Sequence, residues 1–137
     1  MERQLKLDSI QFVEIDYKVK SSNPSVTNEL GIQLDVKPVF DESESKGFGI
    51  VFHIGLNSKP KDFKMKITAV AHFSTTEDID DDFKNSMFVS VNAPAIAFPF
   101  VRAFISNLTL NSGYDPVILP SFNFVKFSKD KSEVPNN

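Results

Sequence analysis

The chain has 137 residues, a formal net charge of −3 at pH 7, ordinary apolar and charged fractions, and no cysteine. That is enough for one domain whose core needs good packing or a partner. The acidic balance argues against a nucleic-acid surface, which shows as a clustered basic excess, and without cysteine there is no disulfide framework, thiolate nucleophile or zinc–thiolate site. The unusual count is 14 Phe beside two Tyr and no Trp. Phe dominates interfaces as well as cores, so a small domain with this many is expected to expose some or to bury them between copies. The opening Met1–Lys6 lacks the apolar stretch of a signal peptide. No segment reads as reaching the roughly 20 apolar residues of a spanning helix, so a soluble, cytoplasmic chain without membrane insertion is expected.

Residues 10–20 read as a strand with a flaw. Ile10 and Phe12 share one face while Val13, Ile15, Tyr17 and Val19 take the other, which a bulge near Phe12–Val13 reconciles. Ser21–Ser25 is a loop by composition. Leu30, Ile32, Leu34 and Val36 then alternate with polar residues, and Pro38 marks an edge or the end of regular pairing. After the acidic turn Asp41–Gly47, Phe48, Ile50, Phe52, Ile54 and Leu56 line one face of a third strand. Asn57–Asp62 makes a hairpin loop, and Phe63, Met65, Ile67, Ala69, Ala71 and Phe73 line one face of a fourth. The result is an α+β fold: a four-stranded antiparallel sheet whose single apolar face needs a cover.

The helix that follows supplies the cover. Pro94 suits a first turn, where its missing N–H costs nothing, and Pro99 either lies early in the helix or marks a kink. Ile96, Phe100, Ala103, Phe104 and Asn107 line one side; Ala97, Val101, Ile105 and Leu108 line another. A helix apolar nearly all round is buried on more than one side. One sheet covers one side, so the other is expected to meet a second subunit, with Phe100, Val101, Phe104, Ile105 and Leu108 as the oligomer interface. Asn111-Ser112-Gly113 is the stop.

No catalytic constellation competes with this reading. His53 and His72 are the only histidines. A hairpin centred near Lys59–Pro60 pairs His53 with Lys66 and His72 with Gly47, which puts the two rings about 20 Å apart. The run Glu77–Asp82 fails as an EF-hand loop because Phe83 stands where glycine is required and Val89 where glutamate is required. It reads as a solvated acidic connection with no metal and no cofactor. Nucleophile elbows, phosphate loops and zinc-protease motifs are absent, and the chain is not expected to be an enzyme.

Two stretches carry a resemblance. Ala93-Pro94-Ala95-Ile96-Ala97-Phe98-Pro99-Phe100, followed by Leu119-Pro120-Ser121-Phe122-Asn123-Phe124, resembles the SecB family of protein-export chaperones. Ile32-Gln33-Leu34-Asp35-Val36 is similar to that family's Val-Lys-Leu-Asp-Leu strand, and the likeness spans roughly Ile10 to Phe124. It implies a homotetramer, a dimer of dimers with the helix at the contact. It also implies an ATP-independent holdase that keeps unfolded or precursor polypeptides in apolar grooves. By position the client-binding groove would hold Ile32, Leu34 and Val36, with Leu119, Phe122 and Phe124 downstream. Typical members carry acids on the outer sheet face for docking onto the SecA motor. Here Lys64 and Lys66 occupy the corresponding strand and Lys20 stands where another acid is expected.

The domain is expected to run over residues 1–127, with 128–137 as a polar, disordered tail in place of the family's last helix. Two alternatives stand beside the general holdase. One is a SecB-like chaperone dedicated to a single client, such as the antitoxin of a toxin–antitoxin system. The other is an oligomeric scaffold whose Phe residues are all consumed by core and interface.

Overall fold

The structure, a computed structural model, describes residues 4–19, 30–58, 63–113 and 116–127. Strands β1 (Leu5–Val19), β2 (Leu30–Val39), β3 (Gly47–Ser58) and β4 (Phe63–Thr75) form one antiparallel sheet in the order β1-β4-β3-β2. Helix α1 (Asp81–Lys84), a π-helical turn (Phe88–Asn92) and helix α2 (Ala93–Asn111) follow. The expected antiparallel sheet and its covering helix are both present. Lys20 and residues 128–137 lie outside the described residues.

Cross-strand pairs explain why one face is dry. Phe48, Ile50, Phe52, Ile54 and Leu56 of β3 stand opposite Phe73, Ala71, Ala69, Ile67 and Met65 of β4, and all ten are buried. On β1 the bulge expected near Phe12–Val13 is present as a register shift between Phe12 and Glu14. It returns Ile15 and Tyr17 to the face already occupied by Ile10 and Phe12, opposite Ile67 and Met65. A second shift, between Leu7 and Ser9, does the same for Leu5 and Leu7, so β1 begins five residues before the strand read from sequence. Pro38 lies on β2, an edge strand, as its missing donor requires.

The β3–β4 register corrects one expectation. His53 faces Thr68 and His72 faces Gly49, a shift of two residues from the pairing read off the loop. An even shift leaves every side chain on its face. The two histidine rows are therefore four residues apart, about 14 Å at ~3.4 Å per residue.

The helical half departs more. The acidic run is exposed, as expected, but it also opens α1: the Asp80 carboxylate accepts from the Phe83 N–H at 2.8 Å, and Asp81 and Asp82 occupy the favourable first turn. Phe83 is thereby pinned edge-on to Phe48. The Ala93 N–H reaches back to the Phe88 carbonyl, so the chain enters α2 through a wide turn. Helix α2 thus starts at Ala93, and Pro99 is interior. With no N–H on Pro99, the Ala95 carbonyl loses its usual helical donor. Gly113, at φ +90°, ends the helix in a conformation that glycine adopts without strain.

The stretch Phe88–Asn111, 24 residues, is long and apolar enough by length and composition to cross a membrane, which corrects the expectation that no segment approaches that limit. In this fold its Ala97, Phe98, Val101 and Ile105 are buried beside the sheet's core residues.

Candidate functional site

Helix α2 packs over β1 and β4, where Phe104 stacks on Phe12 with ring centroids 3.9 Å apart. The core under β3 is carried instead by aromatic rings. Phe98 of α2 meets Phe52 at 6.0 Å, Phe122 edge-on at 5.2 Å and Phe124 edge-on at 5.8 Å, and Phe124 meets Phe127 at 6.1 Å. Residues 116–127 reach this position along α2. Arg102 Nε donates to the Leu119 carbonyl at 3.0 Å, and Ser106 Oγ donates to the Val117 carbonyl at 2.8 Å. The buried Thr109 Oγ1 accepts the Val117 N–H at 2.9 Å and donates to the Ile105 carbonyl at 3.0 Å. The few polar side chains of an otherwise apolar helix therefore peg a strap to it, extended over 116–123 and closed by a helical turn over 124–127. Val117 and Leu119 point inward and are buried while Ile118 points out.

β2 has no strand beyond it. Its core-side Ile32, Leu34 and Val36 face Leu56, Ile54 and Phe52 yet remain half-buried, whereas those β3 partners are fully buried. Beside them a hollow of about 370 Å³ opens between the end of β2, the π turn and residue 127. Val36, Ile50, Val89, Pro94 and Phe127 give it apolar walls, and Lys37, Lys84, Asn85, Ser86 and Ser90 form a polar rim. The walls offer apolar area that an apolar segment of a polypeptide could bury.

Of the six groove residues read from sequence, Val36 lines this hollow and Ile32 and Leu34 continue its face. Leu119 and Phe124 are core residues, and Phe122 is half-buried against Phe98. Sequence reasoning missed Val89, Pro94 and Phe127; the mixed Ser86–Ser90 stretch carries no regular period that could have flagged it. Of the five interface residues, Val101 and Ile105 are 0% exposed within the subunit. Phe104 and Leu108 are half-buried, and Phe100 is 53% exposed. Ile96 and Leu110, 41% and 54% exposed, extend the apolar stripe around Phe100.

On the outer face, Thr68 Oγ1 donates to Glu14 Oε1 at 3.2 Å, so it must accept from His53 Nδ1 at 3.2 Å. Both histidines are tied into the polar sheet face, His72 through Gln11 at 3.3 Å. Among the described residues no group of three His, Asp or Glu side chains converges as a metal site would.

The site is thus an apolar hollow with a polar rim beside an edge strand. The sequence profile of the Preprotein translocase subunit SecB family matches residues 3–133. This chain belongs to the SecB family. It is a member of a family of chaperones and not an enzyme. It is 31% identical over 110 residues to an uncharacterized protein of Methanocaldococcus jannaschii, covering 77% of this chain and 69% of that one. It is 28% identical over 127 residues to the protein-export protein SecB of Rickettsia akari, covering 83% and 82%. In fold it is similar to the Mycobacterium tuberculosis SecB-like chaperone solved in complex with a ChAD peptide from the HigA1 antitoxin. That match has a TM-score of 0.72 at 13% identity, with 86% of this chain and 90% of that chain covered.

Proposed function

We propose that this SecB-family chain is an ATP-independent holdase that keeps unfolded or precursor polypeptides from aggregating in the cytoplasm, in the service of protein export. The observation that carries the reading is the half-buried row Ile32, Leu34 and Val36 on the core side of β2, next to the apolar hollow at Val36. A client segment laid over this row would bury apolar side chains at about 25 cal/mol per Å². The working assembly is a homotetramer, a dimer of dimers, with the exposed Ile96, Phe100 and Leu110 stripe of α2 at the contact between copies. Asp16 stays on the outer face, but Lys64 and Lys66 stand on the strand where typical members offer acids to SecA, so SecA is not assigned as a partner.

The test is aggregation of urea-denatured clients, followed by light scattering at near-stoichiometric chaperone and without ATP, with the mass of the chaperone recorded alongside. Suppression for several unrelated clients, weakened in Val36→Asp, is expected. Failure with every client would sink the general holdase. A second reading, a chaperone dedicated to one client such as an antitoxin, draws support from the antitoxin peptide held by the structural relative. It predicts suppression for that client alone.

A further inference from the structure

The outer face of the sheet is electrically divided. At one end, Asp8, Asp41 and Glu44 surround a hollow that holds a single cation, Lys46, together with Val39, Val51 and Val70. At the other end the cross-strand register places Lys18 of β1 directly opposite Lys64 of β4, two like charges on one exposed face. Like charges directly opposite destabilise a sheet. Lys66 follows on β4 opposite Asp16, and among the described residues none of Lys18, Lys64 and Lys66 is in an ion pair within 4 Å. Of the neighbouring acids, Asp35 pairs with Lys37 at 3.7 Å and Glu14 accepts from Thr68, and Asp16 alone stands beside the three lysines.

Lys64 and Lys66 border a hollow of about 310 Å³, lined also by Gln33, Asp35, His53 and Asn57, and Lys18 stands beside it across the β1–β4 pair. Two glycines make the room. The Asn57 amide lies so close over Gly31 that a Cβ there would meet its oxygen at 2.6 Å, and the Gln33 amide oxygen would lie 3.4 Å from a Cβ on Gly55. The result is a floor of flat amides, able to donate and accept, flanked by Lys64 and Lys66, which outnumber the one acid of the lining, Asp35. His53 keeps Nδ1 on Thr68 and has no other protein partner among the described residues.

We infer that this end of the outer face, centred on Lys18, Lys64 and Lys66, is a docking site for an acidic segment of a partner protein. Carboxylates satisfy the lysines and accept from the amides. A segment rich in Asp or Glu also relieves the Lys18–Lys64 repulsion, which an apolar client in the β2 hollow does not. The site is on the opposite face from that hollow and does not depend on the holdase reading.

The test uses the full chain and a short fluorescein-labelled Glu/Ser peptide, read by anisotropy at several salt concentrations. Saturable binding that weakens with salt is expected. K64E/K66E should weaken it by roughly tenfold or more, K64Q/K66Q should weaken it less, and K46E at the far end should leave it unchanged. Unaltered melting curves establish that the variants fold, as expected for exposed positions. The inference is overturned if the peptide does not bind saturably, if a Gln/Ser peptide binds equally well, or if K64E/K66E leaves binding unchanged. It is also overturned if K46E weakens binding as much, or if a single-stranded oligonucleotide binds in preference to the peptide.

Discussion

The strap on α2 hangs on one hydroxyl more than on any other group. Thr109 is fully buried, and its Oγ1 is the acceptor for the N–H of Val117, itself buried. Replacing Thr109 by Val keeps the shape and removes that acceptor. A buried N–H left without a partner costs about 1–3 kcal/mol. The lost donation to the Ile105 carbonyl adds little, because that oxygen still has its helical partner. Thr109→Ser keeps the hydroxyl and loses one methyl, a cost of about 1 kcal/mol. Urea unfolding at a fixed subunit concentration measures both, the concentration being fixed because assembly contributes to stability. With a slope near 2 kcal/mol per M, a loss of about 2 kcal/mol lowers the midpoint by roughly 1 M. Stability alone overlaps between the two variants, so amide exchange at Val117 decides. Protection should be lost in Thr109→Val and kept in Thr109→Ser. If Thr109→Val retains both the wild-type midpoint and a protected Val117 amide, the hydroxyl is not what holds the strap.

Phe98→Ala, at the ring that joins Phe52 to Phe122 and Phe124, should lose about 3–5 kcal/mol in the same unfolding assay; a loss below about 1 would mean that the aromatic cluster is not a shared core. Phe100→Asp should leave the subunit folded by circular dichroism and reduce the mass by light scattering, since this ring is half out of its own subunit; an unchanged mass places the contact elsewhere. Asp41 accepts from the Ser43 N–H at 2.9 Å and from its hydroxyl at 2.8 Å, which hold the carboxyl below its ordinary 3.8. A group lowered on folding stabilises the turn above its unfolded pKa and loses that contribution as pH falls through the folded value. Ser43→Ala should therefore raise the Asp41 pKa in a carbon-detected NMR titration, and an unmoved value would rule the hydroxyl out as a cause.

The sheet was legible because alternation survives in its strands even where they are flawed. Val13 betrays its bulge by throwing four apolar residues out of phase, whereas the bulge at Asp8, where the phase of Leu5 and Leu7 gives way to that of Ile10 and Phe12, lies before the strand read from sequence. Hairpin register was less legible: loop composition gives the centre only approximately, and a two-residue slip leaves the apolar pattern intact. The helix was legible as a helix and illegible in its orientation. A rod apolar nearly all round does not say which apolar side its own sheet takes, and Val101 and Ile105 went inward while Phe100 stayed out. The hollow was harder still. Ile32, Leu34 and Val36 announce themselves by period, but Val89 and Phe127 join them only through the wide turn before α2 and the path of the strap. Arg102, Ser106 and Thr109 read as polar interruptions of a helix, and only the folded chain reveals them as pegs.

Pro99 has a consequence for whatever covers α2. It stands on the exposed side of the helix with Ala95, Ile96 and Phe100, and it leaves the Ala95 carbonyl without its helical donor. In water that oxygen is solvated at no cost. Pressed under a second surface it is an acceptor stranded in a greasy seam, and burying it bare would cancel part of what the neighbouring rings contribute. A surface that seats well here has to bring an N–H or O–H to one defined point, or trap a water there. Apolar stripes slide; this one has a notch.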